Sequence, residues 1–169
     1  MASLSLGAAQ FDQLLQLLLV LDAFDHQMCP TCAAEKRSRR DASTDLTGRR
    51  ALLTGGRAKI GMYIALRLLR DGADTTITTR FPNDAIRRFK AMPDSDDWIG
   101  RLHIVGIDLR DPAQVVALAD SVAEHGPLDI LINNAAQTVR RSPGSYALLA
   151  ESESEELPEG ELPSVITFG

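Results

Sequence analysis

The chain predicts an α/β fold, a parallel sheet flanked by helices with a helical extension at its N-terminus. Three observations predict it. A short apolar run, Arg50-Ala51-Leu52-Leu53-Thr54, enters a glycine turn that opens an amphipathic helix; a β-branched run follows, Thr75-Thr76-Ile77-Thr78-Thr79; and two further strand–helix alternations succeed it. Strands that alternate with helices imply parallel pairing, both faces covered, and ligands at the carboxyl ends of the strands.

Each element has a local reason. After Gly55-Gly56-Arg57-Ala58-Lys59-Ile60-Gly61, the residues Met62, Ile64, Ala65, Leu66, Leu68 and Leu69 place a broad apolar stripe on a helix running to about Asp71, where Asp71-Gly72 ends it. The threonine-rich run between Gly72 and Pro82 is too short for a helix and reads as the second strand. A second helix is expected over Asn83 to Ala91 with Asn83 as N-cap, then a strand over Leu102 to Ile107. Asp111-Pro112 supplies a cap and a first-turn proline for a helix carrying Val115, Val116, Leu118, Ala119 and Val122. Leu128 to Ile132 is the fourth strand and runs into Asn133-Asn134-Ala135-Ala136.

The first turn has the chemistry of a nucleotide cradle. Glycines let the backbone approach a pyrophosphate, and the N–H groups that open the next helix attract its charge. Thr54-Gly55 to Ile60-Gly61, then Asp108-Leu109, then Leu128-Asp129-Ile130-Leu131-Ile132-Asn133-Asn134-Ala135-Ala136 together resemble the N-terminal, cofactor-binding half of the short-chain dehydrogenase/reductase family, over roughly residues 46–141. The resemblance implies a Rossmann-like NAD(P)-binding domain. It places the pyrophosphate at Gly55, Arg57, Ile60 and Gly61, the adenine at Asp108 and Leu109, and the nicotinamide ribose beside Asn134, Ala135 and Ala136.

Three departures from the family pattern carry weight. Lys59 stands at the middle glycine, where it either crowds the pyrophosphate or points outward; beside Arg57 it is a candidate phosphate partner. Ala136 replaces a glycine, which is tolerable unless the backbone there has positive φ. The family's Tyr-x-x-x-Lys pair is missing, since Arg67 and Ala150 follow Tyr63 and Tyr146 at four residues. That tyrosine exchanges the substrate proton and that lysine lowers its pKa, so the reading assigns no catalytic residue and expects a sheet incomplete at its C-terminus. Ser142 and Ser145, beside Pro143-Gly144, read as turn residues. At the end of the second strand Thr79-Arg80 replaces an acidic residue that would favour NAD, and the Arg80 guanidinium favours NADP, with NAD still possible.

Bulk properties suit a globular protein. The chain has 169 residues, 44% of them hydrophobic, and a formal charge of −5. Six glutamates (151, 153, 155, 156, 159, 161) lie in a segment without lysine or arginine, leaving residues 1–150 at about +1. Residues 146–169 are therefore expected to be an acidic, solvated tail, although Val165-Ile166-Thr167-Phe168 can begin a strand. The expected organisation is a helical extension over 1–46, the cofactor domain over 47–145, and this tail.

In the extension, Phe11, Leu14, Leu15, Leu17 to Leu21 and Phe24 form a helix apolar nearly all round, bracketed by Asp12, Asp22 and Asp25. It is too short for a membrane span and lacks a secretory start, so it reads as a docking helix of a cytoplasmic protein; a homo-oligomer or partner contact is the alternative. His26, Cys29 and Cys32 have the spacing of half a zinc site, with His103 or His125 as a fourth ligand or the site shared across a dimer; reduced cysteines and a redox pair are the other readings. Lys36-Arg37-Ser38-Arg39-Arg40 reads as a solvated linker, and no pattern supports nucleic-acid binding. The implied partners are a dinucleotide and a missing C-terminal half.

Overall fold

The computed structural model describes residues 28–136 and 142–168. The apolar N-terminal helix expected at residues 11–25, and His26, lie outside them. The chain divides into two compact units, residues 1–44 and 45–169.

In the first unit, helix α1 spans Pro30–Asp41. Pro30 sits in its first turn, and Arg39 Nη2 donates to Glu35 Oε1 at 2.5 Å, an i,i+4 pair. The basic cluster expected as a linker is therefore helical, with Arg39 and Arg40 in the last turn where the helix dipole favours cations.

The second unit is a five-stranded sheet in the order β4-β1-β2-β3-β5, every neighbouring pair parallel. Its elements are β1 (Arg50–Thr54), α2 (Lys59–Arg70), β2 (Asp74–Thr79), α3 (Pro82–Lys90), β3 (Leu102–Gly106), α4 (Pro112–Glu124), β4 (Ile130–Asn133), α5 (Ala147–Ser152) and β5 (Ser164–Thr167). The strand–helix alternation read from the sequence is present, with ends shifted by a residue or two. Adjacent strand residues point to opposite faces, which is how both faces are used. Ile104 joins Leu53, Ile77, Leu66, Leu69, Ile86 and Phe89 on the face of α2 and α3, whereas its neighbour Val105 packs with Ile107 and Leu118. Of the α4 stripe only Leu118 is buried; Val116 and Leu131 stay 61% and 57% exposed, because no described element covers the α4 and β4 side further.

Two expectations change here. Asn83 is not the cap of α3: the N-cap is Phe81, and the Asn83 and Asp84 backbone N–H groups each donate at 2.8 Å to the Glu153 carboxylate. The acidic segment is accordingly not a free tail, although Glu151, Glu155, Glu156, Glu159 and Glu161 stay exposed. Glu153 is held on α3, and the chain beyond it forms β5, which pairs with the outer edge of β3 from His103↔Ser164 to Gly106↔Thr167. A glutamate docks there because it satisfies N–H groups that no residue of α3 itself caps.

Asp94 anchors the loop after α3 to α2. Arg70 Nε and Nη2 donate to its two carboxylate oxygens at 2.6 and 2.9 Å and hold its pKa down to about 2, from the usual 3.8. A depressed carboxyl contributes stability that is complete above its unfolded pKa and is lost as pH falls through the folded value. The stability gap between the wild type and Arg70→Ala is therefore expected to be constant near neutrality and to close as pH falls from about 4 toward 2. Urea titrations at stepped pH check this; a gap that persists at pH 2 would contradict it.

Candidate functional site

The loops at the carboxyl ends of the strands converge on one rim of the sheet. After β1, Gly55 turns the chain with φ +73°, and a Cβ there would lie 3.0 Å from Ala135 Cα. Gly55 N donates to Thr78 Oγ1 and Gly56 N to Thr78 O, both at 3.2 Å, so the threonine run of β2 holds the turn. A Cβ on Gly61 would come within 2.2 Å of Gly55 O, which fixes how closely α2 sits against the turn. From β4, Asn134 Nδ2 donates to Thr54 O at 3.2 Å and to Gly55 O at 3.1 Å. Thr54 Oγ1 in return accepts the Asn134 and Ala135 N–H groups, each at 3.0 Å. Glycine turn and Asn-Asn-Ala segment thus form one hydrogen-bonded body.

The N-terminus of α2 stands open at this body. Its N-cap is Ala58, its first turn carries no acidic residue, and no side chain among the described residues accepts from its leading N–H groups. By contrast, α4 is capped by Asp111, whose Oδ1 accepts from Ala113 N at 2.9 Å as the sequence predicts, and α3 by Glu153. A glycine turn feeding the one uncapped helix of the three suits an anion. Lys59 and Ile60 flank it on the outside, both exposed.

Lys59 has φ 53° and is the one non-glycine residue with positive φ among the described residues. The family glycine at this place therefore has a conformational reason, and the lysine adopts the conformation at a cost of about 1–2 kcal/mol. Ala136 has no positive φ, so its methyl group is tolerated as expected. Lys59→Gly is expected to raise stability by up to about 1 kcal/mol, the strain relieved less the added freedom of the unfolded glycine. Equilibrium unfolding in urea measures this, and a destabilised variant would show that the lysine side chain makes a compensating contact.

Arg80 follows β2 and is exposed. Its Cζ lies 4.6 Å from the centroid of the Tyr146 ring and 5.5 Å from that of Phe81, and it makes no hydrogen bond or ion pair among the described residues. Arg57, considered as its helper, is committed elsewhere: it is ion-paired with Asp84, which Arg88 Nε also approaches at 2.7 Å. Asp108, beyond β3, is clasped by Arg110 through the guanidinium and through the Arg110 N–H at 3.1 Å. These hydrogen bonds hold its carboxyl down to about 2, and its own N–H donates to Gln114 Oε1 at 3.0 Å. Arg80, Pro82, Asp108, Gln114 and Phe168 line a shallow open cleft, with Leu109 in the apolar cluster beside it.

The structure brings Gly55, Gly61, Asn134 and Ala135 together at this rim, along with residues that sequence reasoning did not single out. Thr54, Gly56 and Thr78 hold the turn; a Cβ on Gly56 would stand 2.5 Å from the Ile77 side chain. Two of them were visible in the Thr-Gly-Gly run, but the partner of Thr78 is 23 residues away and leaves no local mark. Tyr146 and Phe168 come from the segment expected to be a solvated tail.

The zinc expectation finds no site among the described residues, His26 lying outside them. No three His, Cys, Asp or Glu side chains gather as metal ligands among the described residues. His103 is used on the sheet, with Nε2 3.0 Å from Asp74 and Nδ1 2.5 Å from Ser164 Oγ, and His125 Nδ1 lies 2.7 Å from Ser121 O. Cys29 and Cys32 are free and exposed at the start of α1. Hydrogen bonds from the Cys32 backbone and thiol lower the Cys29 pKa from its ordinary value. No helix among the described residues is long and apolar enough to cross a membrane.

An uncharacterized protein of Acanthamoeba polyphaga mimivirus is 40% identical over 119 residues, covering 66% of this chain and 25% of that protein. A short-chain type dehydrogenase/reductase of Picea abies is 35% identical over 118 residues, covering 66% of this chain and 41% of that one. Among solved structures, the N-domain of a bacterial malonyl-CoA reductase with NADP is similar, at 30% identity and TM-score 0.49, covering 66% of this chain and 22% of that chain. The chain thus spans well under half the length of these relatives. The family model for short chain dehydrogenases matches residues 49–166, and the chain belongs to that family.

Proposed function

We propose that this chain is the NADP-binding portion of a short-chain dehydrogenase/reductase-type oxidoreductase. The observation that carries the reading is Arg80: an exposed guanidinium at the end of β2, with aromatic rings beside it and no hydrogen bond or ion pair among the described residues, where an acidic side chain would instead select NAD. The open N-terminus of α2 and the Cβ-free approach at Gly55 and Gly61 receive the pyrophosphate, and Asn134 holds the turn in shape for it. Asp108 and Gln114 border the adenine side. Bound, the cofactor supplies or accepts the hydride. The proton is exchanged by a tyrosine–lysine pair from outside residues 1–169, because Arg67 and Ala150 stand where Tyr63 and Tyr146 would need a lysine. The same lack favours a second reading, a non-catalytic nucleotide-binding or interaction module. Activity regained when this chain is joined to the remaining half of a relative separates the two.

Thermal unfolding followed by Trp98 fluorescence tests the binding claim. A ligand that binds only the folded state at about 100 times its dissociation constant adds roughly 2.7 kcal/mol. NADP⁺ is expected to raise the midpoint and NAD⁺ to raise it less. In Arg80→Ala the difference is expected to vanish, since charge-assisted hydrogen bonds worth about 1.5–3 kcal/mol are lost for NADP⁺ alone. A cooperative melt indifferent to both cofactors would overturn the reading.

A further inference from the structure

The segment that returns from β4 to the far edge of the sheet touches the cofactor rim at several points, and its role does not follow from the family assignment. It is fastened to α3 by polar contacts. Besides the Glu153 carboxylate on the Asn83 and Asp84 N–H groups, Asn83 Nδ2 donates to Glu153 O at 2.6 Å and Arg87 Nη2 to Ser152 O at 2.5 Å. Immediately before these anchors, half-buried Tyr146 stacks on Phe81 with ring centroids 6.1 Å apart and planes at 27°. Its ring faces the Arg80 guanidinium at 4.6 Å, closer than Phe81 does. Beyond the anchors, β5 pairs with β3 and brings Phe168 to the cleft that Arg80 and Asp108 line.

Resting on the NADP reading above, we propose that residues 142–168 are a built wall of the adenosine 2′-phosphate site, with Tyr146 as the residue that positions Arg80. A guanidinium held over an aromatic face is attracted by it and restrained in position, within reach of an incoming phosphate. An arginine ordered before its ligand arrives loses less freedom on binding, so Tyr146 acts on affinity without touching the phosphate. Arg57 cannot substitute, because Asp84 engages it. Glu153 fixes the start of α3 to the chain that carries Tyr146, seven residues away through α5.

The test uses the full chain and dissociation constants for NADP⁺ and NAD⁺ from titration calorimetry. Tyr146→Ala is expected to weaken NADP⁺ about fivefold to tenfold and to leave NAD⁺ unchanged, as loss of a partly desolvated cation–π contact predicts. Tyr146→Phe, which keeps the ring, is expected to restore the discrimination. Tyr146→Leu, which keeps bulk without the π face, is expected to behave as the alanine variant and serves if alanine prevents folding. Equal loss for both cofactors, or none for either, would reduce the segment to a structural cover and overturn the proposal. A wild-type chain that holds NAD⁺ as firmly as NADP⁺ removes the NADP reading and this one together, whereas a preference that survives both Tyr146→Ala and Tyr146→Leu removes this one alone.

Discussion

Gly61→Ala is expected to lower stability by roughly 3 kcal/mol, near the upper end of what overpacking costs. The new methyl group would stand 2.2 Å from Gly55 O and 2.7 Å from Asn134 Nδ2, and the first of these is backbone that cannot swing aside. Either α2 moves off the turn or the turn opens. In both cases the Asn134 hydrogen bonds to Thr54 O and Gly55 O are disturbed, so the fastening between β1 and β4 weakens as well. The thermal midpoint is expected to fall by about 10 °C, with NADP⁺ no longer raising it, because the altered turn is the surface offered to the pyrophosphate. A variant that melts like the wild type would mean that the turn adapts without cost. One that melts early but still responds to NADP⁺ would separate the packing role of Gly61 from the cradle.

Phe89→Ala is expected to cost about 3–5 kcal/mol, the range for a large aromatic side chain removed from a core. Phe89 on α3 is fully buried, and its ring meets Trp98 edge to face, with centroids 6.1 Å apart. Around it lie Ile86, Ile99, Leu102 and Ile104, the packing that joins α3 to β3. Their partial collapse sets where in the range the cost falls. Urea unfolding with Trp98 fluorescence is the measurement, and a red-shifted native emission is expected as water nears the vacated space. A loss under 1 kcal/mol would show that this part of the core repacks freely.

Much of this architecture could be read from local pattern. The apolar run Ala51-Leu52-Leu53 is buried because β1 lies between β2 and β4, and the stripe of α2 faces the sheet because its spacing matches the helical period. Asp111-Pro112 starts α4 as caps and first-turn prolines do. The misreadings share a cause. Asn83 has the chemistry of a cap, but a glutamate 70 residues later takes the N–H groups that local rules would give to a neighbour. A run of carboxylates resembles a solvated tail until one of them finds the positive end of a helix. Arg57 looked available for phosphate because Asp84, 27 residues on, is not a sequence neighbour. Long-range polar pairing of this kind has no period and no spacing, so it surfaces only in three dimensions.

The placement of β5 bears on the order in which the molecule assembles. Strands β1, β2 and β3 join through short crossovers, whereas Ser164 must find His103 across 61 residues of chain. Closing that long loop costs entropy that only a β3 already laid down can offset, so the outer strand docks late in folding. A four-residue strand with all its side chains exposed has little to hold it against reopening. β5, held less firmly than the Tyr146 end that Glu153 fastens to α3, is therefore the part of the wall most prone to open, and a nucleotide that touches Phe168 draws on a local folding equilibrium as well as on a surface.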